Sequence, residues 1–135
     1  MNARETVIKI VGVPQHTPTN EAITTFAPVN IALIKYWGKR DDQLNLPVTN
    51  SLSIALPTKG TTTTIRINHT THDTYWLNGE SVDKNSEFFN RLHYFCDLFR
   101  FHPSYHFDID TKNNIPTAAG LASSASGFAA LTLAF

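Results

Sequence analysis

Pro116-Thr117-Ala118-Ala119-Gly120-Leu121-Ala122-Ser123-Ser124-Ala125-Ser126 joins two segments of different period, and the reading of that junction sets the fold. Before it, Tyr105, Phe107 and Ile109 alternate with His106, Asp108 and Asp110, which predicts a half-buried strand. After it, Leu121, Ala125, Phe128, Leu131 and Phe135 recur at helical spacing, while Gly127, Ala130 and Ala134 allow close approach to a neighbour. The spacing predicts a helix over 120–135. The first turn of a helix leaves N–H groups unpaired and carries the positive end of the peptide dipoles. Small side chains admit a phosphate to those groups, and Ser123, Ser124 and Ser126 add hydroxyl donors. There is no lysine and no Gly-Lys-Ser/Thr ending, so this is not a Walker A loop. The same residues also suit an ordinary strand-to-helix connection with serine caps.

A second cluster, Ala27-Pro28-Val29-Asn30-Ile31-Ala32-Leu33-Ile34-Lys35-Tyr36-Trp37-Gly38-Lys39-Arg40, places two aromatics and three cations around a glycine. Ammonium groups and a phenol can fix a phosphate, and Gly38 supplies a backbone that accepts φ > 0. Taken alone, the cluster fits at least as well with Tyr36 and Trp37 in the core and the cations on a solvated turn.

Elsewhere Val7–Val13 is β-branched and predicts a strand, with loop around Pro14 and Pro18. Ile23–Phe26 predicts a strand stopped by Pro28. Ser51–Leu56 and Thr61–Ile67 predict an antiparallel pair connected through Pro57 and Gly60, and Leu44–Pro47 a loop. Thr74–Leu77 predicts a short strand leading into an Asn78-Gly79 turn. Phe88, Phe89, Leu92, Phe95, Cys96 and Phe99 mark the apolar face of a helix within 83–100, which Pro103 stops.

The 135 residues carry 11 basic and 11 acidic side chains, with 41% apolar residues. That suits one domain with a real core. Balanced charge points away from nucleic acid and from anionic membranes. One cysteine, Cys96, excludes an intrachain disulfide framework and reads as a core residue. With no signal-peptide pattern and no long apolar run, a cytoplasmic protein is expected. The six histidines show no metal-ligand spacing, so no protein-held transition metal is expected. Asp108 and Asp110 read as a solvated strand face.

The two clusters together resemble the mevalonate diphosphate decarboxylases of the GHMP kinase superfamily. Residues 27–40 resemble their opening motif, and Asn113-Asn114-Ile115-Pro116 running on to Ser126 resembles their phosphate loop. Leu44-Asn45-Leu46-Pro47, Asn50-Ser51-Leu52-Ser53 and Trp76-Leu77-Asn78-Gly79-Glu80 resemble the family in the same order, over about residues 22–135. The resemblance implies an α+β fold, the GHMP kinase N-terminal domain, ribosomal protein S5 domain 2-like. Residues 1–21 would form an extension, and 22–135 a GHMP-type N-terminal domain incomplete at its C-terminus.

The implied reaction uses ATP and Mg2+ to phosphorylate the tertiary hydroxyl of mevalonate diphosphate, after which phosphate and carbon dioxide leave to give isopentenyl diphosphate. By the same resemblance, Lys35 sits near the transferred phosphoryl group and Asn30 orients the catalytic carboxylate. Tyr36, Trp37, Gly38 and Lys39 line the substrate diphosphate site. Pro116, Ala119, Gly120, Leu121, Ala122, Ser123, Ser124 and Ser126 hold the ATP phosphates. Magnesium arrives with ATP, held mostly by phosphate oxygens. The partners expected are a small phosphorylated substrate and a second copy in a homodimer, with no nucleic acid and no membrane.

Two departures stand out. The family's catalytic aspartate lies downstream of Phe135, so this chain is expected to carry only the N-terminal part of the machinery. Where the family places an arginine after the Trp76–Glu80 segment, this chain has Asn85-Ser86-Glu87-Phe88, and the nearest arginine is Arg91. That leaves diphosphate and monophosphate substrates both open, and with them a GHMP small-molecule kinase acting on mevalonate or phosphomevalonate. A non-catalytic fragment is the third reading; the apolar helix ending at Phe135 then predicts an exposed hydrophobic surface.

Overall fold

A computed structural model describes residues 2–12, 21–35, 37–41, 46–115 and 123–135. Its elements are α1 (Ala3–Val11), β1 (Ile23–Ile34), β2 (Lys39–Asp41), β3 (Leu46–Pro47), β4 (Leu52–Asn68), β5 (Thr74–Leu77), β6 (Glu80–Ser81), α2 (Glu87–Phe99), β7 (His106–Asn113) and α3 (Ser123–Ala134). Five strands form a mixed sheet in the order β1-β4-β7-β5-β6, in which only β5 and β7 run parallel. The remaining strands, β2 and β3, make a separate two-stranded ribbon.

Helices α2 and α3 cover one face of the large sheet. Ile65, Tyr75, Phe107 and Ile109 rise from the strands to meet Leu92 and Cys96 of α2 and Leu131 and Ala134 of α3. Phe95 packs edge-on against Phe128, and Phe99 stacks on Phe135 at 4.8 Å. Phe135 is therefore half-buried between Phe99 and Phe107, while Leu133 in the same last turn is 65% exposed. Exposed apolar side chains also gather on the outer parts of β1 and β4, at Ile31, Leu33, Ile34, Leu52 and Ile54.

The hairpin and the two expected helices are present. Asn78 (φ 54°) and Gly79 (φ 86°) both take the left-handed conformation that a tight hairpin needs, joining β5 to β6. Ser86 caps α2 by accepting from Phe89 N–H at 3.1 Å. Phe88, assigned to the buried face of α2, is instead exposed. Its place on the helix turns it toward the edge of the layer.

Several expectations need correction. The segment beginning at Val7 is helical, because Asn2 and Glu5 form a reciprocal capping box that satisfies two free donors at the helix start. β1 runs through Pro28 instead of stopping there. It lies at the sheet edge, where a missing N–H harms no second neighbour, and its register with β4 shifts between Pro28 and Asn30. The two strands expected across Pro57 and Gly60 are one strand, β4, which pairs with β1 on one side and β7 on the other. Pro57 sits in the unpaired stretch between Ala55 and Gly60, so it interrupts no ladder bond. Leu46–Pro47, expected as loop, pairs with β2.

Asp108 and Asp110 do share a face, but they are half-buried there. Asp108 accepts from Asn68 at 2.7 Å and from the Thr74 hydroxyl, and Asp110 lies 3.2 Å from Lys112 Nζ. The expected loop at Pro14 and Pro18 lies outside the described residues.

Candidate functional site

Thr25 Oγ1 on β1 donates to the Ala130 carbonyl at 2.6 Å, and Thr61 Oγ1 on β4 meets Ser126 Oγ at 2.7 Å. Because Thr61 pairs with Ala27, these two contacts run α3 antiparallel to β1. The amino end of α3 and the carboxyl half of β1, which carries Asn30, consequently lie toward the same end of the sheet.

At that end of α3, Ser123 is half-buried and Ser124 exposed. The first turn contains no acidic residue, so nothing opposes an anion there. No described residue bonds the Ser124 hydroxyl. Ser126 is placed differently. At 3% exposure its hydroxyl faces the sheet, meeting Thr61 and the Ser123 carbonyl, the latter at 3.0 Å. Pro116, Ala119, Gly120, Leu121 and Ala122 lie outside the described residues, as does Tyr36.

A cavity of about 140 Å³ opens beside Ser123 and Ser124. Trp76, Phe88 and Leu92 supply much of its apolar lining, and Asn113 contributes a polar group. Sequence reasoning missed it. The signal was present in Trp76 on β5 and Phe88 on α2, large apolar residues that remain 38% and 39% exposed.

The basic turn is held by backbone geometry. Gly38 has φ 75°, Val48 N–H donates to the Gly38 carbonyl at 3.2 Å, and Trp37 N–H donates to Thr49 Oγ1 at 3.2 Å. Lys39 pairs with Pro47, so the structure brings Trp37–Lys39 against Leu46–Pro47, two segments recognised separately in the sequence. Lys35, Trp37 and Lys39 are all exposed, with Trp37 at 80%, which excludes Trp37 from the core of the described chain.

The most strongly perturbed groups lie elsewhere. Asp73, with a side chain 1% exposed, accepts from Arg100 Nη2 at 2.6 Å, Tyr75 Oη at 2.8 Å and Phe107 N–H at 2.9 Å. Burial opposes ionisation of Asp73, but these donors, Arg100 foremost, hold its carboxyl below the ordinary carboxylate value. Burial pushes the Cys96 thiol up to about 12 and raises the Tyr75 phenol further still, with Cys96 and Asp73 adding to the effect on Tyr75. This cluster ties α2 to β5 and β7 and is structural. Among the described residues no group of three or more His, Cys, Asp or Glu side chains is arranged to hold a metal ion, and no helix is long and apolar enough to cross a membrane.

A mixed sheet with α2 and α3 on one face is the architecture of the N-terminal fold of the GHMP kinases. Residues 27–135 match the model of the diphosphomevalonate decarboxylase-like N-terminal domain, and the chain belongs to that family. It is 41% identical over 125 residues to the diphosphomevalonate decarboxylase of Bos taurus, covering 81% of this chain and 31% of that protein. With the Saccharomyces cerevisiae protein of the same name it shares 44% identity over 123 residues, covering 80% of this chain and 31% of the relative.

Among solved structures, the mevalonate diphosphate decarboxylase of Staphylococcus aureus superposes with a TM-score of 0.75 at 41% identity, covering 84% of this chain and 34% of that one. Another, described as a complex with MVAPP, AMPPCP and magnesium, gives a TM-score of 0.66 at 38% identity, covering 82% and 34%. The chain spans about a third of the length of the curated relatives it matches.

Proposed function

We propose that this chain forms the nucleotide-phosphate and part of the substrate-phosphate site of an ATP-dependent mevalonate diphosphate decarboxylase acting in the cytoplasm. One observation carries the reading: Ser124 stands uncommitted at the opening of α3, beside an apolar cavity and with no nearby carboxylate in its turn. That arrangement suits a ligand with an anionic tail and a flat apolar body, and ATP has both. Ser123 and Ser124 bind phosphate oxygens, together with the N–H groups around Gly120 to Ala122, in the segment that also contains Pro116 and Ala119. The cavity between Trp76 and Phe88 takes the base. Ser126 serves this site from behind, through the sheet.

ATP supplies the phosphoryl group that turns a tertiary hydroxyl into a good leaving group. Lys35 neutralises charge developing on that group as it transfers, and Asn30 orients the carboxylate that accepts the hydroxyl proton. Tyr36, Trp37, Gly38 and Lys39 hold the substrate diphosphate; Lys39 is fixed at the start of the β2–β3 ribbon. When phosphate leaves, the carbon–carbon bond to the carboxylate breaks and its electron pair forms the double bond of isopentenyl diphosphate. Mg2+ arrives with ATP and is held mainly by phosphate oxygens.

One feature favours a second reading. The segment that takes the place of the family's arginine is spent on structure: Ser86 caps α2, and Asn85 N–H donates to Asp83 Oδ1 at 3.0 Å. A kinase acting on mevalonate or phosphomevalonate, whose substrate carries no diphosphate to hold, is the alternative. Titration of the chain with magnesium and AMPPCP tests the nucleotide site: binding is expected, and Ser124→Ala is expected to weaken it without changing the melting temperature. No binding by the parent chain overturns the site. A turnover assay separates the chemistries, since ADP formed without carbon dioxide is the kinase result.

A further inference from the structure

We propose that Thr61 is a positioning residue for the nucleotide-phosphate site, a proposal that rests on the reading above and deepens it. Gly60 and Thr61 are neighbours on β4, and between them they hold both flanks of segment 116–122. On the upstream flank, Asn114 clasps β4 with three bonds. Its Oδ1 accepts from Gly60 N–H at 2.8 Å, its N–H donates to the Gly60 carbonyl at 3.1 Å, and its Nδ2 donates to the Thr58 carbonyl at 2.9 Å. On the downstream flank, Thr61 Oγ1 meets Ser126 Oγ at 2.7 Å and donates to Asn113 Oδ1 at 2.7 Å.

Thr61 is 0% exposed and Ser126 3%, so water does not compete for these hydroxyls. With Thr61 donating to Asn113, the hydroxyl pair is hydrogen-bonded when the Ser126 proton points to Thr61, and the Ser123 carbonyl is the competing acceptor for that proton. The consequence is rotational. Successive residues of an α-helix are about 100° apart, so a Ser126 tied to the sheet turns Ser124 about 200° away, toward solvent. The observed burial agrees: Ser126 is buried and Ser124 exposed. Thr61 therefore fixes which way the anion-binding hydroxyl of α3 points while contacting no ligand itself.

The same strand supplies its own control. Thr63, also 0% exposed, bonds Thr111 at 3.2 Å and has no hydrogen bond to α3. Thr61→Val, Thr63→Val, Thr61→Ser and Ser126→Ala are compared in the 135-residue chain for melting temperature, affinity for magnesium and AMPPCP, and amide exchange across α3. Thr61→Val and Ser126→Ala are expected to weaken AMPPCP roughly tenfold, on the scale of one lost hydrogen bond, and to speed exchange in the first two turns of α3. Thr61→Ser is expected to restore both, and Thr63→Val to lower the melting temperature without changing affinity.

Equal losses of affinity in Thr61→Val and Thr63→Val reduce Thr61 to a buried hydroxyl like any other and overturn the proposal. Unchanged affinity in Thr61→Val overturns it too. If the parent chain does not bind AMPPCP, the nucleotide reading fails by itself. The exchange data still decide the positioning role: acceleration confined to the start of α3 supports it, and uniform acceleration sinks it.

Discussion

Arg100 Nη2 lies 2.6 Å from Asp73 Oδ2, and the carboxylate it meets is almost sealed from water. The guanidinium also bonds Asp97 at 2.8 Å and the Tyr105 carbonyl, and it lies 4.8 Å from the centre of the Phe107 ring. One cation thus joins the end of α2 to the start of β5 and the approach to β7. Removing it strands a buried charge. Arg100→Met is expected to cost about 3–5 kcal/mol in urea unfolding, the range for breaking one partner out of a buried pair.

The same pair sets an acid limit. Asp73 ionises more readily in the folded chain than at the ordinary value of 3.8, so its stabilisation is complete above that pH. It fades as pH falls from there through the folded-state pKa, because the unfolded chain then binds the proton more readily. Asp73→Asn should remove this acid-side loss as well as lowering stability at neutral pH. Unfolding free energies measured from pH 2 to 7 check both effects.

Gly60 offers a different test. A methyl group there overlaps the Ala27 carbonyl oxygen and comes within 2.8 Å of Pro28 Cα and 2.9 Å of Phe26 Cζ. Two of these three obstacles are backbone and cannot yield cheaply. Gly60→Ala is expected to cost roughly 3 kcal/mol, at the upper end of over-packing. Gly79→Ala meets no atom and suffers only its positive φ, at about 1 kcal/mol. Thermal melts of the two variants should rank them in that order.

Ser86→Ala removes the cap of α2 and should lower stability by about 1 kcal/mol. Circular dichroism of the variant during urea unfolding reads that loss directly.

Cys96 is fully buried and its thiol is pushed up to about 12, so little thiolate forms near neutral pH and none of it is accessible. A thiol reagent at pH 8 should label the chain only as fast as it opens. Labelling rates that rise with urea in step with unfolding support this, and rapid labelling of the native chain contradicts it.

Local patterns were readable in the sequence, and long-range pairings were not. Asn78-Gly79 determined its hairpin by itself, because the conformation it favours is the one the turn needs. The spacing of Leu92, Cys96 and Phe99 similarly gave the face of α2. Pro57 and Gly60 misled because a bulge against β1 uses the same residues as a turn, and only the partner strand distinguishes the two. Val7 and Ile8 outweighed the Asn2–Glu5 box, although that box was there to be seen. Asp73 had no sequence signature, since Arg100 and Phe107, two of its partners, come from distant segments. That Ser126 is buried and Ser124 exposed was not legible, because it depends on which side of α3 meets Thr61.

The unpaired stretch between Ala55 and Gly60 makes β4 a jointed strand. Inward of the joint, residues 61–65 are locked between two neighbours; outward of it, residues 52–55 are held by β1 alone. Tilting the outer ribbon breaks no ladder bond of the inner sheet. Asn30 rides on that ribbon while Ser126 is anchored inboard, so a few degrees of flexing there alter the gap between them and leave the hydrophobic core unstrained.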